Sequence, residues 1–286
     1  MAGFAHVGEY IDALENGKTS YGQIRKIPSQ ASTAGHWVDL SMAAGQPIAQ
    51  YYAAAPLEAA VLTGMRGIFH GDDRSPSQKH LVEWSLMTPT AGLVGAYHLL
   101  DFLLYYPFVD LDSTDEQALD NTVTLPRYTT GDGVRVMLVA VAPTAGGASL
   151  RFNFDYVDQD GNAKTAPTQT FNATAANIAT ILSSQQAVSG GQGAPYLLLA
   201  SGSTGVRSIT AWRNVAAVGG LAAVVLVKPL ATLWLPEVST PVELTYPNLK
   251  PGPPRVYDGA YLGLIMNCAA TVAAGTLAGH VRFAWG

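Results

Sequence analysis

Charged residues are scarce in this sequence. Asp, Glu, Lys and Arg make up 13% of the 286 residues, whereas about 25% is usual in a soluble domain. A chain with so few charges has little with which to cover a fully solvated surface, and the centres of protein interfaces are depleted in charge. The composition therefore favours a protein partly covered by neighbours, in an oligomer or a lattice, over a free monomeric enzyme.

Clusters of basic residues are also lacking. Lys and Arg occur singly apart from the pair Arg25-Lys26, and the net charge is −5. Binding to a phosphate backbone needs concentrated positive charge. We therefore expect no direct contact with nucleic acid.

Cysteine is represented by Cys268 alone. A single cysteine excludes an intrachain disulfide framework and a cysteine-rich metal site. Because Cys268 follows the apolar stretch 264–266, we interpret it as a small buried hydrophobic residue.

Targeting and membrane-spanning segments are not evident. Residues 1–6 lack a basic stretch followed by an apolar run, as a signal peptide would require. The most hydrophobic segment, Val215 to Val227, is shorter than the roughly 20 residues of a spanning helix. The sequence predicts a protein made in the cytoplasm that does not enter a membrane.

Motifs for catalysis are missing as well. The six histidines are dispersed, no G-x-S-x-G nucleophile motif occurs, and the glycine-rich stretch 190–193 lacks the Lys-Ser/Thr of a phosphate-binding loop. The acidic stretch Asp110 to Glu116 reads as the capped start of a helix over 116–119, with a calcium-stabilised loop as the alternative. We expect no enzyme activity, no catalytic residues, no metal, no cofactor and no small-molecule substrate.

A short amphipathic helix is predicted at residues 4–16. Phe4, Val7, Ile11 and Leu14 recur at spacings of three and four, and Gly17 stands where a helix commonly ends. The resulting apolar stripe needs a partner, either the body of the same chain or another subunit.

The region from residue 18 to 120 looks irregular. Its short apolar pieces, including the stretch from Ile27 to Leu62, are interrupted by prolines that exclude long helices. One exception is Leu93 to Tyr106, where apolar residues on every face favour a buried helix ended by Pro107. We therefore predict that residues 1–120 form a helix followed by an extended arm that contacts partners.

From residue 121 to 286 the pattern predicts an antiparallel β-sandwich. The segments 150–156 and 134–141 are typical of strands, and glycine, proline or Ser/Thr clusters separate further candidates. Those candidates are 196–199, 206–212, 221–227, 242–246, 261–267 and 280–285. About eight strands without crossover helices predict a mainly β fold, jelly-roll-like or immunoglobulin-like, with the strand count favouring the jelly roll.

Taken together, these segments resemble a group of virion structural proteins of tailed bacteriophages, along nearly the whole chain. The strings that carry the resemblance are VGEYIDAL (7–14), IPSQA (27–31), WVDLS (37–41), MTPT (87–90), LYYPFVDLD (104–112), NTVTLPRY (121–128), TGVRS (204–208), LVKPLA (226–231) and DGAYL (258–262). The resemblance implies a component of the virus particle, and no catalytic residue transfers with it.

Within a particle, a capsid decoration (cement) protein fits the size, the acidic sandwich and the long arm. Its expected partners are the major capsid protein and copies of itself, as a dimer or trimer, on the outer surface of the virion. The alternatives are a neck, tail or fibre-associated protein, and a glycan-binding sandwich for host attachment. The expected interface residues are Phe4, Val7, Ile11, Leu14, Ile27, Trp37, Tyr51 and Tyr52.

Overall fold

A computed structural model describes residues 4, 6–28, 34–145, 149–172, 176–182, 194–245, 252–267, 270–271 and 274–286. Cys268, whose burial the sequence predicts, lies outside the described residues. The helix α1 spans Val7–Glu15, and 3-10 turns lie at Leu40–Met42, Gly64–Arg66 and Ala91–Leu93. The strands, in chain order, are β1 (Thr19–Ile27), β2 (Trp37–Asp39), β3 (Ala44–Gln46), β4 (Ala60–Val61), β5 (Lys79–Met87), β6 (Gly95–Asp110), β7 (Gln117–Ala118), β8 (Arg135–Ala140), β9 (Ser149–Asp158), β10 (Ala163–Thr165), β11 (Gln169–Asn172), β12 (Thr180–Ile181), β13 (Val206–Ala216), β14 (Leu221–Leu235), β15 (Val242–Thr245), β16 (Arg255–Val256), β17 (Tyr261–Asn267) and β18 (Leu277–Trp285).

The first sheet, which we call the terminal sheet, has the strand order β15-β5-β18-β1-β3, with β16 also paired to β5. All of its pairings are antiparallel, and β1 runs along β18 from Thr19 opposite Ala284 to Lys26 opposite Leu277. The sheet thus joins strands from the two ends of the described chain.

The second sheet closes on itself. Its order is β14-β8-β12-β2-β17-β6, and β6 pairs in turn with β14, so six strands form a barrel, with β4 attached to β6. The pairing of β6 with β14 runs from Asp110 opposite Leu221 to Gly95 opposite Leu235. Closure leaves these six strands without a free edge over the paired length.

The third sheet, the distal sheet, has the order β10-β9-β13-β7, with β11 also paired to β9. It packs on the barrel through a second apolar core that is separate from the first. The barrel strands β6, β14 and β8, which we call the shared wall, lie between the two cores. In β14, Val225 belongs to the first core whereas Val224 and Leu226 belong to the second.

The predicted mainly β, antiparallel fold with a short N-terminal helix is confirmed. The observed arrangement is a closed six-stranded barrel with two further sheets packed against it, and the finer jelly-roll-like sandwich stays a prediction. Most of the strands predicted after residue 120 are found, as β8, β9, β13, β14, β15, β17 and β18. Tyr246, at the end of one predicted strand, lies outside the described residues.

The prediction that residues 18–120 form an irregular arm is wrong. This region supplies strands to all three sheets, among them β1, β5 and β6. The prolines exclude helices but not strands, since proline is tolerated at strand ends and at bulges. Pro28 follows β1, and Pro107 lies in β6 where the register to β14 shifts.

The predicted buried helix at Leu93 to Tyr106 is also wrong, because these residues lead into and form most of β6. This part of β6 is buried on both faces, so it is apolar at nearly every position and cannot be told from a buried helix by periodicity. The segment is buried, as predicted, but its conformation is extended.

Two smaller predictions need correction. Residues 196–199 form no strand, although the Leu197 amide donates to the Val136 carbonyl at the margin of β8. Residues 116–119 form no helix, because Gln117 and Ala118 pair with β13 as strand β7.

Candidate interaction surface

The side of the terminal sheet that faces away from the barrel is the candidate interaction surface, and we call it the outer face. In β1, Gly22, Ile24 and Lys26 are buried. The residues that alternate with them point outward and are exposed, namely Tyr21, Gln23, Arg25 and Ile27. We call these four residues the β1 row.

Helix α1 lies on the outer face next to β18 and β5. The His6 side chain caps the helix, its Nδ1 accepting the Glu9 amide at 3.3 Å, and Gly17 ends it with a φ of 66°, a conformation that glycine adopts readily. Ala13 is the buried residue of the helix, on the side that packs against the body of the protein. The centre of the Phe4 ring lies 5.6 Å from the centre of the Tyr10 ring and 5.9 Å from the centre of the His80 ring. These contacts fix which side of the helix faces the sheet.

The apolar stripe of α1 does not face the sheet. Val7, Ile11 and Leu14 are exposed by 64%, 47% and 37%. Successive helical residues are rotated by about 100°, so these three lie on one flank of α1 while Tyr10 and Ala13 occupy the flank that touches the body. The stripe is therefore open to a partner.

The structure separates the residues predicted for the interface into two groups. Val7, Ile11, Leu14 and Ile27 belong to the outer face, Phe4 is half-buried under its edge, and Tyr51 is exposed beyond β3. Trp37 and Tyr52, in contrast, are core residues, and the prediction is corrected for these two. The Trp37 ring packs 4.7 Å from His98, and the Tyr52 hydroxyl donates to Asp39.

The charged groups of the outer face are partly paired. The Glu83 carboxylate lies 2.5 Å from His280 Nε2 and 3.3 Å from Arg282 Nη1. The Tyr21 ring stacks on the His280 ring, with 5.0 Å between the ring centres. Burial raises the pKa of Tyr10, which lies near Arg282 and Glu83. These contacts place the helix, β1, β5 and β18 on one continuous surface.

A buried lysine supports the edge of this surface. Lys26 points inward from β1, and its Nζ donates to the Pro47 carbonyl at 2.7 Å and to the Ala43 carbonyl at 3.1 Å. Burial lowers the pKa of Lys26 to about 8 and raises the pKa of the neighbouring carboxyl of Asp39. The interaction fixes the segment that carries the exposed side chains Ile48 and Tyr51.

A second buried lysine supports the loop that carries exposed Phe69. Lys79 Nζ lies 2.9 Å from His70 Nδ1 and donates to the Asp72 carbonyl at 2.9 Å, and His70 Nε2 lies 3.0 Å from the Ala260 carbonyl. Burial, followed by the charge of Lys79, lowers the pKa of His70 to about 4. A neutral His70 that accepts from Lys79 and donates to Ala260 satisfies both contacts. Sequence patterns gave no signal for either lysine, because buried lysines are rare.

Within the described ranges, no group of three or more His, Cys, Asp or Glu side chains is placed to hold a metal ion. No helix in the described part of the chain is long and apolar enough to span a membrane.

Comparison with known proteins gives little further information. No protein-family model and no curated protein match this chain. Among solved structures, the VP2 subviral particle of infectious bursal disease virus is 10% identical, with a TM-score of 0.18, over 93% of this chain and 80% of that chain. The structure of the infectious bursal disease virus Gt strain is 9% identical, with a TM-score of 0.16, over 94% of this chain and 81% of that chain. Likenesses this low carry no argument about the fold or the function of the protein.

Proposed function

We propose that this protein is a structural component of a tailed-phage particle and acts as a capsid decoration protein that bridges neighbouring subunits. The observation that carries the proposal is the outer face, where a rigid β body presents Val7, Ile11, Leu14 and Ile27 to solvent. Scattered exposed apolar residues are normal, but Val7, Ile11 and Leu14 lie together on one flank of α1, and a group of neighbouring exposed apolar residues is typical of interaction sites. The resemblance of the sequence to virion structural proteins supports the particle as the place of action.

The architecture suits a mechanical role. The closed barrel has no free edge over its paired length, and the shared wall is buried on both faces. Such a body resists local opening because it has few exposed backbone hydrogen bonds. A protein that bridges subunits under load needs this rigidity behind its contact surface.

The copy number per particle tests the proposed location. We expect mass spectrometry of purified particles to give a copy number of the same order as the major capsid protein, and a reconstruction to place the protein on the outer shell. Six or twelve copies at one vertex would contradict a decoration role and support a neck or tail component.

Rebinding to stripped particles tests the proposed surface. A stripe variant (Val7→Ser, Ile11→Ser, Leu14→Ser) should lose at least about tenfold in affinity, since burial of each apolar side chain contributes about 1.5–3 kcal/mol. A control variant (Leu198→Ser, Val215→Ser, Val238→Ser) alters exposed apolar residues outside the outer face and should rebind like the wild type. Equal rebinding of both variants would remove the outer face from the proposal.

One observation favours a second candidate function, glycan binding for host attachment. Trp234 on β14 is exposed by 64%, and sugars stack on exposed aromatic rings through their apolar faces. Trp234→Ala should then abolish binding of the purified protein to host polysaccharide, with Tyr51→Ala as a control on another exposed aromatic ring. Absence of polysaccharide binding by the wild-type protein would exclude this candidate.

A further inference from the structure

The stripe of α1 has an acidic border. Because each helical residue turns by about 100°, Val7, Ile11 and Leu14 share a sector of roughly 60°. Glu15 and then Asp12 occupy the adjoining sector on the side away from the sheet, and both are exposed. Residues 7–15 contain three acidic residues and no basic one.

The β1 row has the opposite character. Tyr21 and Ile27 are exposed by 48% and 36%, and Arg25 projects between them on the same face. Arg25 makes no ion pair with any described residue. A row that combines two exposed apolar side chains with one unpaired cation is complementary to an apolar stripe bordered by carboxylates.

We infer that the occupant of the outer face is a second copy of this chain, with the stripe of each α1 packed on the β1 row of the other copy. In this two-fold dimer Asp12 and Glu15 of one copy face Arg25 of the other. The inference rests on the proposed function, because it names the first partner that the outer face binds within the assembly.

Two features select this arrangement. The stripe and the β1 row lie on the same face of one sheet, so a single two-fold axis makes both contacts at once. Direct pairing of the stripe of one α1 with the stripe of the other would instead bring the two bordering Glu15 side chains into one contact, and residues 7–15 supply no base to pair with them. Like charges placed together are destabilising.

Exchange of charges tests the pairing. We expect the wild-type chain of 30.0 kDa to sediment as a dimer, and Glu15→Lys or Arg25→Glu to raise the dissociation constant at least about tenfold, as loss of a charge pair at an interface does. Glu243→Lys, an exposed acid on β15 at the far edge of the sheet, should leave the constant unchanged. Circular dichroism of each variant checks that the fold is intact.

An equimolar mixture of the Glu15→Lys and Arg25→Glu proteins gives the decisive result. In the proposed dimer the mixed pair regains an opposite-charge contact on both sides of the axis, so the wild-type constant should return. If Arg25→Glu has no effect, or if the mixture stays monomeric, the inference is wrong.

The outcome also separates the inference from the proposed function. The wild-type protein could be monomeric in solution and yet be present on particles at a copy number similar to that of the capsid protein. This result would contradict the dimer but not the decoration role, and a capsid subunit would then be the partner that binds the outer face. A dimer that is missing from particles would overturn the decoration role alone.

Discussion

The shared wall and the β1 row use apolar residues in opposite ways. The shared wall is apolar at nearly every position because its two faces belong to two cores, as Val225 and Leu226 illustrate. The β1 row has one buried face and one exposed face, and its apolar residues on the exposed side have no cover within the chain. The low charge content therefore has two sources, a doubly buried layer and an open surface. Only the second is a functional signal.

The sharpest test of the shared wall is the removal of its buried ion pair. The Arg127 guanidinium bonds the Asp101 carboxylate on β6 at 2.9 and 2.7 Å, and Asp101 also accepts the Tyr261 amide at 3.1 Å. Arg127→Leu leaves a buried carboxyl without its partner, so we expect a loss of about 3–5 kcal/mol in the free energy of unfolding. Urea denaturation measures it.

The matched control for this prediction is the double variant Asp101→Leu, Arg127→Leu. It removes both charges together, and replacing a buried pair by apolar residues is often close to neutral. We expect it to recover much of the loss. If the single variant loses less than about 1 kcal/mol, the ion pair is not what holds this part of the barrel.

A cavity in the shared wall should cost somewhat less. Leu226 is fully buried in the second core, and we expect Leu226→Ala to lower the free energy of unfolding by about 2–5 kcal/mol. Leu198→Ala, at an exposed leucine, should change it by less than about 0.5 kcal/mol. Similar losses in the two variants would remove the distinction between the wall and the surface.

Acid should weaken the shared wall through His98. The His98 side chain lies on β6, with its Nδ1 atom 2.8 Å from the Tyr196 hydroxyl oxygen. Burial lowers the pKa of His98 to about 4 from the usual 6.5. Between these values the unfolded chain binds the proton more tightly than the folded one. Stability is therefore complete above pH 6.5 and falls as the pH drops towards 4.

Over that pH interval we expect protonation of His98 to lower the free energy of unfolding by about 1–3 kcal/mol. Unfolding curves at pH 7 and pH 4.5 measure it, and His98→Gln should reduce the difference between them. His70, whose pKa is also lowered to about 4, contributes in the same direction, so the double variant His70→Gln, His98→Gln should flatten the profile further. A pH profile that is unchanged in both variants would contradict the role of burial.

The smallest effect on stability is expected on the outer face. Ile11→Ser changes an exposed side chain, so the free energy of unfolding should move by less than about 0.5 kcal/mol. The dimer dissociation constant of the same variant should nevertheless rise, and sedimentation velocity measures that change. A large loss of stability would mean that the stripe packs on its own chain after all.

Sequence patterns predicted the strands that alternate or follow clear turns. β9 is an example, because its buried residues Phe152, Phe154 and Tyr156 alternate with polar ones. β1 was missed because its buried face consists of Gly22, Ile24 and Lys26, of which only Ile24 is a large apolar residue. A buried lysine hides the alternation, and carbonyl groups distant in sequence satisfy its charge.

For the interaction surface, spacing predicted the helix and its stripe, but not which flank would be covered. That choice depends on Tyr10 and Ala13 meeting the terminal sheet, a contact between distant parts of the chain. The sequence places Trp37 and Tyr52 at the surface because the short strands near them carry no clear pattern. Once β2 is a strand of the barrel, their burial follows.

The pairing of β1 with β18 has a consequence for synthesis. About 250 residues separate the two strands, so at the usual elongation rate β1 waits on the order of 10–50 s on the ribosome for its neighbour. During that time only β3 can pair with β1, along Arg25 to Ile27, and the first part of β1 has no partner strand. The surface proposed for dimerisation is therefore complete only after β18 has been made, and we expect nascent chains on one messenger RNA to associate through it only late in synthesis.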